Sequence, residues 1–156
     1  LLVIISGPEP QRTVFEKIII EQVAGLSQKT LVVLGKPENV GFSERKNNAE
    51  IVSHLNSEEL NKAISASEII LTRPGYSTIM DLAVLGKKAI FVPTRGQTEQ
   101  EYLGKLYHEK KMHLCVKQTE LNVKKAIHQS PEFIGFAEFA NSDLLSGKVE
   151  SFLKVC

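Results

Sequence analysis

The stretch Glu68-Ile69-Ile70-Leu71-Thr72-Arg73-Pro74-Gly75-Tyr76-Ser77-Thr78-Ile79-Met80-Asp81 decides the fold. Its first five residues are a short, mostly apolar run of the kind that forms a buried strand. Pro74 and Gly75 break that run, and a segment of helical period follows as far as Gly86, a residue suited to a helix C-terminus. Strand, tight turn and helix in this order make half of a βαβ unit.

The same alternation extends on both sides. Leu1–Ser6, Thr30–Leu34, Glu50–Leu55, Lys88–Val92 and His113–Val116 read as further strands. Between them lie helical segments at Gln11–Leu26, with Val14, Ile18, Ile19 and Val23 at core spacing, at 57–66 with Ser57 as its cap, and at Thr98–Lys111. Glu120–Gln129 and Ser142–Val155 complete the helices, and Gly35–Asn48 reads as a polar loop. Strands alternating with helices predict an α/β, doubly wound domain, with a parallel sheet of about six strands and helices on both faces. In such sheets ligands bind at the carboxyl ends of the strands, beside helix N-termini.

Composition narrows the function classes. The 156 residues are 42% hydrophobic and 24% charged, with a net charge of +1. That balance argues against a basic nucleic-acid surface, and no apolar run approaches the length of a membrane span. Cys115 and Cys156 lie far apart and read as one buried and one exposed thiol, which fits a cytoplasmic protein. The chain opens inside an apolar strand, Leu1-Leu2-Val3-Ile4-Ile5, without a methionine. We expect it to be one domain of a longer protein.

Several chemistries lack their motifs. There is no G-x-x-x-x-G-K-[ST] loop, no G-x-G-x-x-G fingerprint and no G-x-S-x-G elbow. Asp81 and Asp143 are the only aspartates, so no Asp-x-Asp metal site can be drawn, and His54, His108, His113 and His128 show no zinc spacing. Neither a metal nor a cofactor is expected.

Two stretches carry positive signals. After Gly75, the amides of Tyr76, Ser77 and Thr78 open a helix beside two hydroxyls, an arrangement that suits an anion. Asp81, about one turn in, can accept hydrogen bonds from a cis-diol such as a ribose. Thr78-x-x-Asp81 also fits a ligand-free capping box. The second stretch, Pro93-Thr94-Arg95-Gly96-Gln97-Thr98-Glu99-Gln100-Glu101-Tyr102, offers Gln97, Thr98, Glu99, Gln100 and Glu101 to sugar hydroxyls, although Thr98-x-x-Glu101 is again a capping pattern. Ser6 and Gly7 after the first strand can meet a phosphate, but Pro8 and Pro10 lack amide hydrogens. Leu55 ends the third strand, where backbone can face a base edge.

Together the two stretches resemble the C-terminal domain of glycosyltransferase family 28. The matching residues are Arg73, Gly75, Ser77, Thr78 and Asp81, then Pro93, Gln100, Glu101 and Tyr102. The resemblance implies a Rossmann-like half of a GT-B fold spanning residues 1–156, with an N-terminal acceptor domain outside this chain. It also implies a UDP-sugar donor, an acceptor that is a lipid-linked or other glycan, and metal-independent inverting transfer of a hexose or N-acetylhexosamine. By position Asp81 holds the ribose, the amides after Gly75 meet the diphosphate, Gln100 and Glu101 read the sugar and Leu55 faces the uracil. Arg73 either contacts the nucleotide or orients its loop. The catalytic base is expected in the other domain, and the full-length protein at the inner face of the membrane, peripherally associated. Two departures stand out: the first loop is not glycine-rich, and Glu101 stands where the family's peptidoglycan enzyme has a second Gln. A nucleotide-sugar hydrolase or epimerase, or a non-enzymatic nucleotide-binding module, are the alternative readings.

Overall fold

The computed structural model describes residues 1–136 apart from Val40. The helix expected at Ser142–Val155, with Asp143, and the terminal Cys156 lie outside the described residues. In chain order the elements are β1 (Leu2–Ile4), α1 (Gln11–Val23), β2 (Thr30–Val33), β3 (Ser43–Lys46), β4 (Ala49–Val52), α2 (Ser57–Ala66) and β5 (Ile70–Thr72). They continue with α3 (Tyr76–Val84), β6 (Ala89–Phe91), α4 (Thr98–Glu109), β7 (Leu114–Cys115) and α5 (Val123–Gln129). A 3-10 turn at Gln118–Glu120 joins β7 to α5.

These strands form one sheet in the order β3-β4-β2-β1-β5-β6-β7. All neighbours are parallel except β3 and β4. With β3 set aside, the parallel strands run third, second, first, fourth, fifth, sixth in chain order. The order therefore reverses between β1 and β5, which opens a crevice at their carboxyl ends.

The expected α/β architecture is present, with one strand more than expected. β3 lies inside the segment read as a polar loop. Ser43–Lys46 is almost wholly exposed, so no apolar alternation marks it. It is instead an edge strand folded back on β4 through Asn47, whose φ is 54°. Side-chain amides anchor that hairpin, Asn47 donating to the Ala24 carbonyl and Asn48 to that of Ser27.

Both sheet faces are covered, which explains why the strands read as continuous apolar runs. One face packs Val3, Val32, Ile51, Leu71 and Ile90 under Phe15, Ile19 and Val23 of α1 and Val123 and Ala126 of α5. The other packs Leu2, Val33, Ile70 and Phe91 under Ile64 of α2 and Ile79 and Leu82 of α3, with Leu103 and Tyr107 of α4 at its margin. Within α1 the buried line is Phe15-Ile19-Val23, an i,i+4 stripe, and Val14 is instead 43% exposed.

α3 ends as its sequence implies. Gly86 takes a φ of 61°, and the amides of Gly86 and Lys87 donate to the Ala83 and Leu82 carbonyls. His113 is fully buried among Phe91, Tyr107 and Phe136, and its Nδ1 accepts from the Ala89 amide. Burial pushes its pKa down to about 4, with Lys88 adding to the effect.

Candidate functional site

The helices α1 to α4 each begin just beyond the carboxyl end of a parallel strand, so their first amides line one edge of the sheet. Each start is finished differently. At α1, the Glu9 carboxylate accepts from the Thr13 amide and pairs with Arg12 at 2.9 Å. The contacts with Thr13 and Arg12 hold that carboxyl below the usual carboxylate range, the Thr13 bond most strongly. At α2, Asn56 and not Ser57 is the cap: the Glu59 amide donates to Asn56 Oδ1, and the Asn56 amide donates back to Glu59 Oε2, both at 2.9 Å.

α3 has no such device. Its cap is Gly75, which has no side chain to offer. The helix starts at Tyr76, two residues before Thr78, so the Thr78-x-x-Asp81 capping box does not form. Among the described residues the amides of Tyr76, Ser77 and Thr78 find no acceptor, and the first helical bond runs from Ile79 to the Gly75 carbonyl. Ser77 and Asp81 stand one turn apart on the same face, both exposed.

α4 is also open. Gln97 caps it without a side-chain bond, so the Thr98-x-x-Glu101 box is absent too. The reason lies one step upstream, where Gly96 at a φ of 83° turns the chain. Gln100 Oε1 accepts from the Thr94 amide and Glu101 Oε1 from the Gly96 amide, both at 2.9 Å. The two side chains thus brace the loop with one oxygen each. The Gln100 amide nitrogen and the second Glu101 oxygen make no bond among the described residues. Gln97 and Gln100 are half-buried, whereas Thr98, Glu99 and Glu101 are exposed.

The other expected residues fall around this edge. Gly7 has a φ of 111°, and a Cβ there would sit 3.5 Å from Thr94 Oγ1, so the loop after β1 reaches the loop after β6. Thr94 Oγ1 is buried without a partner. Ser6 and Leu55 are half-buried beside the ends of β1 and β4. Arg73 differs from the contact role considered for it. Its side chain is 1% exposed and lies over Phe15, which leaves loop orientation as the role the geometry offers.

Three features gave no usable signal in sequence. Gly104 of α4 packs where a Cβ would stand 2.6 Å from Cys115 Sγ and 3.0 Å from Pro93 Cγ, so only glycine lets α4 lie this close. Gln118 reaches back to Arg73 across the chain. A cleft of about 690 Å³ lies between α4 and the 3-10 turn, lined by Pro93, Arg95, Glu101, Lys105, His108, Cys115, Lys117, Gln118 and Thr119. Burial pushes the Cys115 thiol there up to about 11, so it is not a thiolate at neutral pH. A second cleft, of about 380 Å³, sits at the opposite end of the strands around Leu1 and Lys29, remote from every helix start described above.

Among the described residues no three His, Cys, Asp or Glu side chains cluster as metal ligands, and no helix is long and apolar enough to cross a membrane.

Comparison with known proteins bears on the family and the fold. Residues 14–141 match the glycosyltransferase family 28 C-terminal domain. The UDP-N-acetylglucosamine--N-acetylmuramyl-(pentapeptide) pyrophosphoryl-undecaprenol N-acetylglucosamine transferase of Rickettsia bellii (strain RML369-C) is 23% identical over 163 residues. That alignment takes in 97% of this chain but 44% of the relative, so the chain spans under half of its length. Among solved structures, the spinosyn forosaminyltransferase SpnP superposes with a TM-score of 0.62 at 14% identity, covering 89% of this chain and 37% of that one. The glycosyltransferase SnogD from Streptomyces nogalater gives 0.60 at 14% identity, covering 89% and 35%. The shared fold is one half of the GT-B architecture.

Proposed function

The chain belongs to the glycosyltransferase family 28 C-terminal domains, and on that footing we propose that it holds the nucleotide-sugar donor of a glycosyltransferase. The observation that carries this reading is the open start of α3. Where the strand order reverses, three amides beside the hydroxyls of Ser77 and Thr78 find no acceptor among the described residues. A diphosphate supplies the missing acceptors. Asp81 takes the ribose hydroxyls, Leu55 and its backbone take the base, and the residues from Gln97 to Glu101 take the sugar. Ser6 and Gly7 close the crevice from the β1 side.

The donor is a UDP-sugar, in keeping with the UDP-N-acetylglucosamine in the Rickettsia relative's name. An acceptor hydroxyl, on a lipid-linked or other glycan, attacks the anomeric carbon with inversion. The α3 and α4 amides stabilise the charge that builds on the departing UDP, so no metal is needed to neutralise it. The general base comes from the remainder of the protein, at the cytoplasmic face of the membrane.

Isothermal titration of the full-length protein with UDP and a panel of UDP-sugars tests this reading. Saturable binding is expected, with Asp81→Ala weakening it by roughly tenfold or more through loss of charge-assisted hydrogen bonds. Undetectable UDP binding, or unchanged affinity in Asp81→Ala, would refute it.

A further inference from the structure

Arg73 is a buried cation with no anion paired to it among the described residues. Its guanidinium carbon lies 3.9 Å from the centre of the Phe15 ring. Nη1 donates to the Val92 carbonyl at 2.7 Å and Nη2 to Gln118 Oε1 at 2.6 Å, while Nε has no partner. Each of these neighbours is neutral, and no carboxylate pairs with Arg73 among the described residues. Burying a charge in this way is costly, and proteins usually offset it with a counter-charge. Burial lowers the Arg73 pKa to about 10, which still leaves it charged at neutral pH.

Its field is therefore uncancelled from within the described residues. Arg73 directly follows β5, three residues before Tyr76, and the chain limits that Cα–Cα separation to about 11 Å. Across such a distance of protein interior, Coulomb attraction persists and salt screens it poorly. The backbone that opens α3 follows Arg73 within that length of chain.

We propose that Arg73 is a positioning residue that favours the donor's diphosphate through space, and that Gln118 holds it in place without cancelling its charge. This rests on the donor-site reading above. The guanidinium never touches the ligand. It adds positive potential at the carboxyl edge of the sheet and ties the end of β5 to that of β6, fixing the two loops on which the diphosphate and sugar would lie. Gln118 suits this arrangement because its amide oxygen accepts the bond while bringing no charge. A glutamate of nearly the same shape would accept it too, and would neutralise the field.

Gln118→Glu and Gln118→Met in the full-length protein separate charge from shape. Dissociation constants for UDP, UMP and uridine are measured by isothermal titration, alongside the melting temperature of each variant. Gln118→Glu should weaken UDP by about tenfold, UMP by less and uridine by under about twofold, while melting no lower than wild type. Gln118→Met should melt lower yet keep UDP affinity within about threefold. A larger UDP loss in Gln118→Met than in Gln118→Glu would overturn the inference, as would equal losses for UDP and uridine. Failure of Gln118→Glu to fold counts against it too, because a carboxylate facing an uncancelled buried guanidinium must stabilise. Wild-type protein that binds no UDP overturns the donor-site reading itself, and this inference with it. UDP binding that Gln118→Glu leaves unchanged overturns the inference alone.

Discussion

Helices α2 and α3 begin at the same edge of one sheet, and their sequences finish them in opposite ways. At α2, Asn56 and Glu59 satisfy each other's backbone amides, which leaves only the Ser57 and Glu58 amides without an acceptor among the described residues. At α3, Gly75 leaves three amides facing outward. A side-chain cap is worth about 1 kcal/mol, so an uncapped start forgoes stability that many side chains could supply. α1 sides with α2, its first turn occupied by Glu9, and α4 sides with α3. The filled starts follow β1 and β4 on one side of the crevice, while the open ones follow β5 and β6 on the other. Under the proposed donor reading, the difference separates helix ends that only hold the fold from those left for a ligand to complete.

Filling the open end with the chain's own charge should give the largest effect. Ser77→Asp puts a carboxylate in the first turn of α3, where it favours the helix by about 0.3–1 kcal/mol. The same charge competes with a diphosphate, so UDP affinity should fall by about a hundredfold or more, read by titration calorimetry. Stability and binding then move in opposite directions, which a purely structural helix start would not allow.

Next in size is Gly104→Ala. The new methyl meets Cys115 and Pro93, and displacing α4 should cost about 2 kcal/mol in chemical denaturation. Asn56→Ala should cost about 1 kcal/mol by the same measurement, with UDP affinity unaltered, because α2 carries its own side-chain cap.

The smallest effect concerns Glu9. Its carboxyl is held below the usual range, mainly by Thr13. A depressed carboxyl contributes stability above its unfolded pKa and loses that contribution as pH falls through the folded value. The Thr13 amide resonance should therefore titrate below the ordinary carboxylate midpoint, and Glu9→Gln should abolish that titration. A normal midpoint at Thr13 would mean that α1 is as open as α3.

Much of this was legible in the sequence because it depends on local pattern. Apolar runs bounded by Pro-Gly or Gly-Pro turns located the parallel strands, and Arg73–Asp81 with Pro93–Tyr102 located the two open helix starts. What escaped depends on contacts between distant residues or on positions where polarity hides structure. β3 is polar because it is an edge strand with one neighbour, and only the Asn47-Asn48 turn hints at its hairpin. Asn56 and Ser57 are both good caps on their own, and the reciprocal bond with Glu59 selects the first. Thr78 and Thr98 fit capping boxes by spacing, but the chain enters each helix earlier than that spacing requires. Gln118 lies 45 residues from Arg73, so no window of sequence joins them.

The contrast between helix ends can be read residue by residue in an amide NMR titration of the full-length protein with UDP. The largest shifts should fall on Tyr76, Ser77 and Thr78, with smaller ones at Thr98 and Glu99, while the Glu59 and Thr13 amides stay still. Shifts centred on Glu59 or Thr13, or none at Tyr76–Thr78, would contradict it.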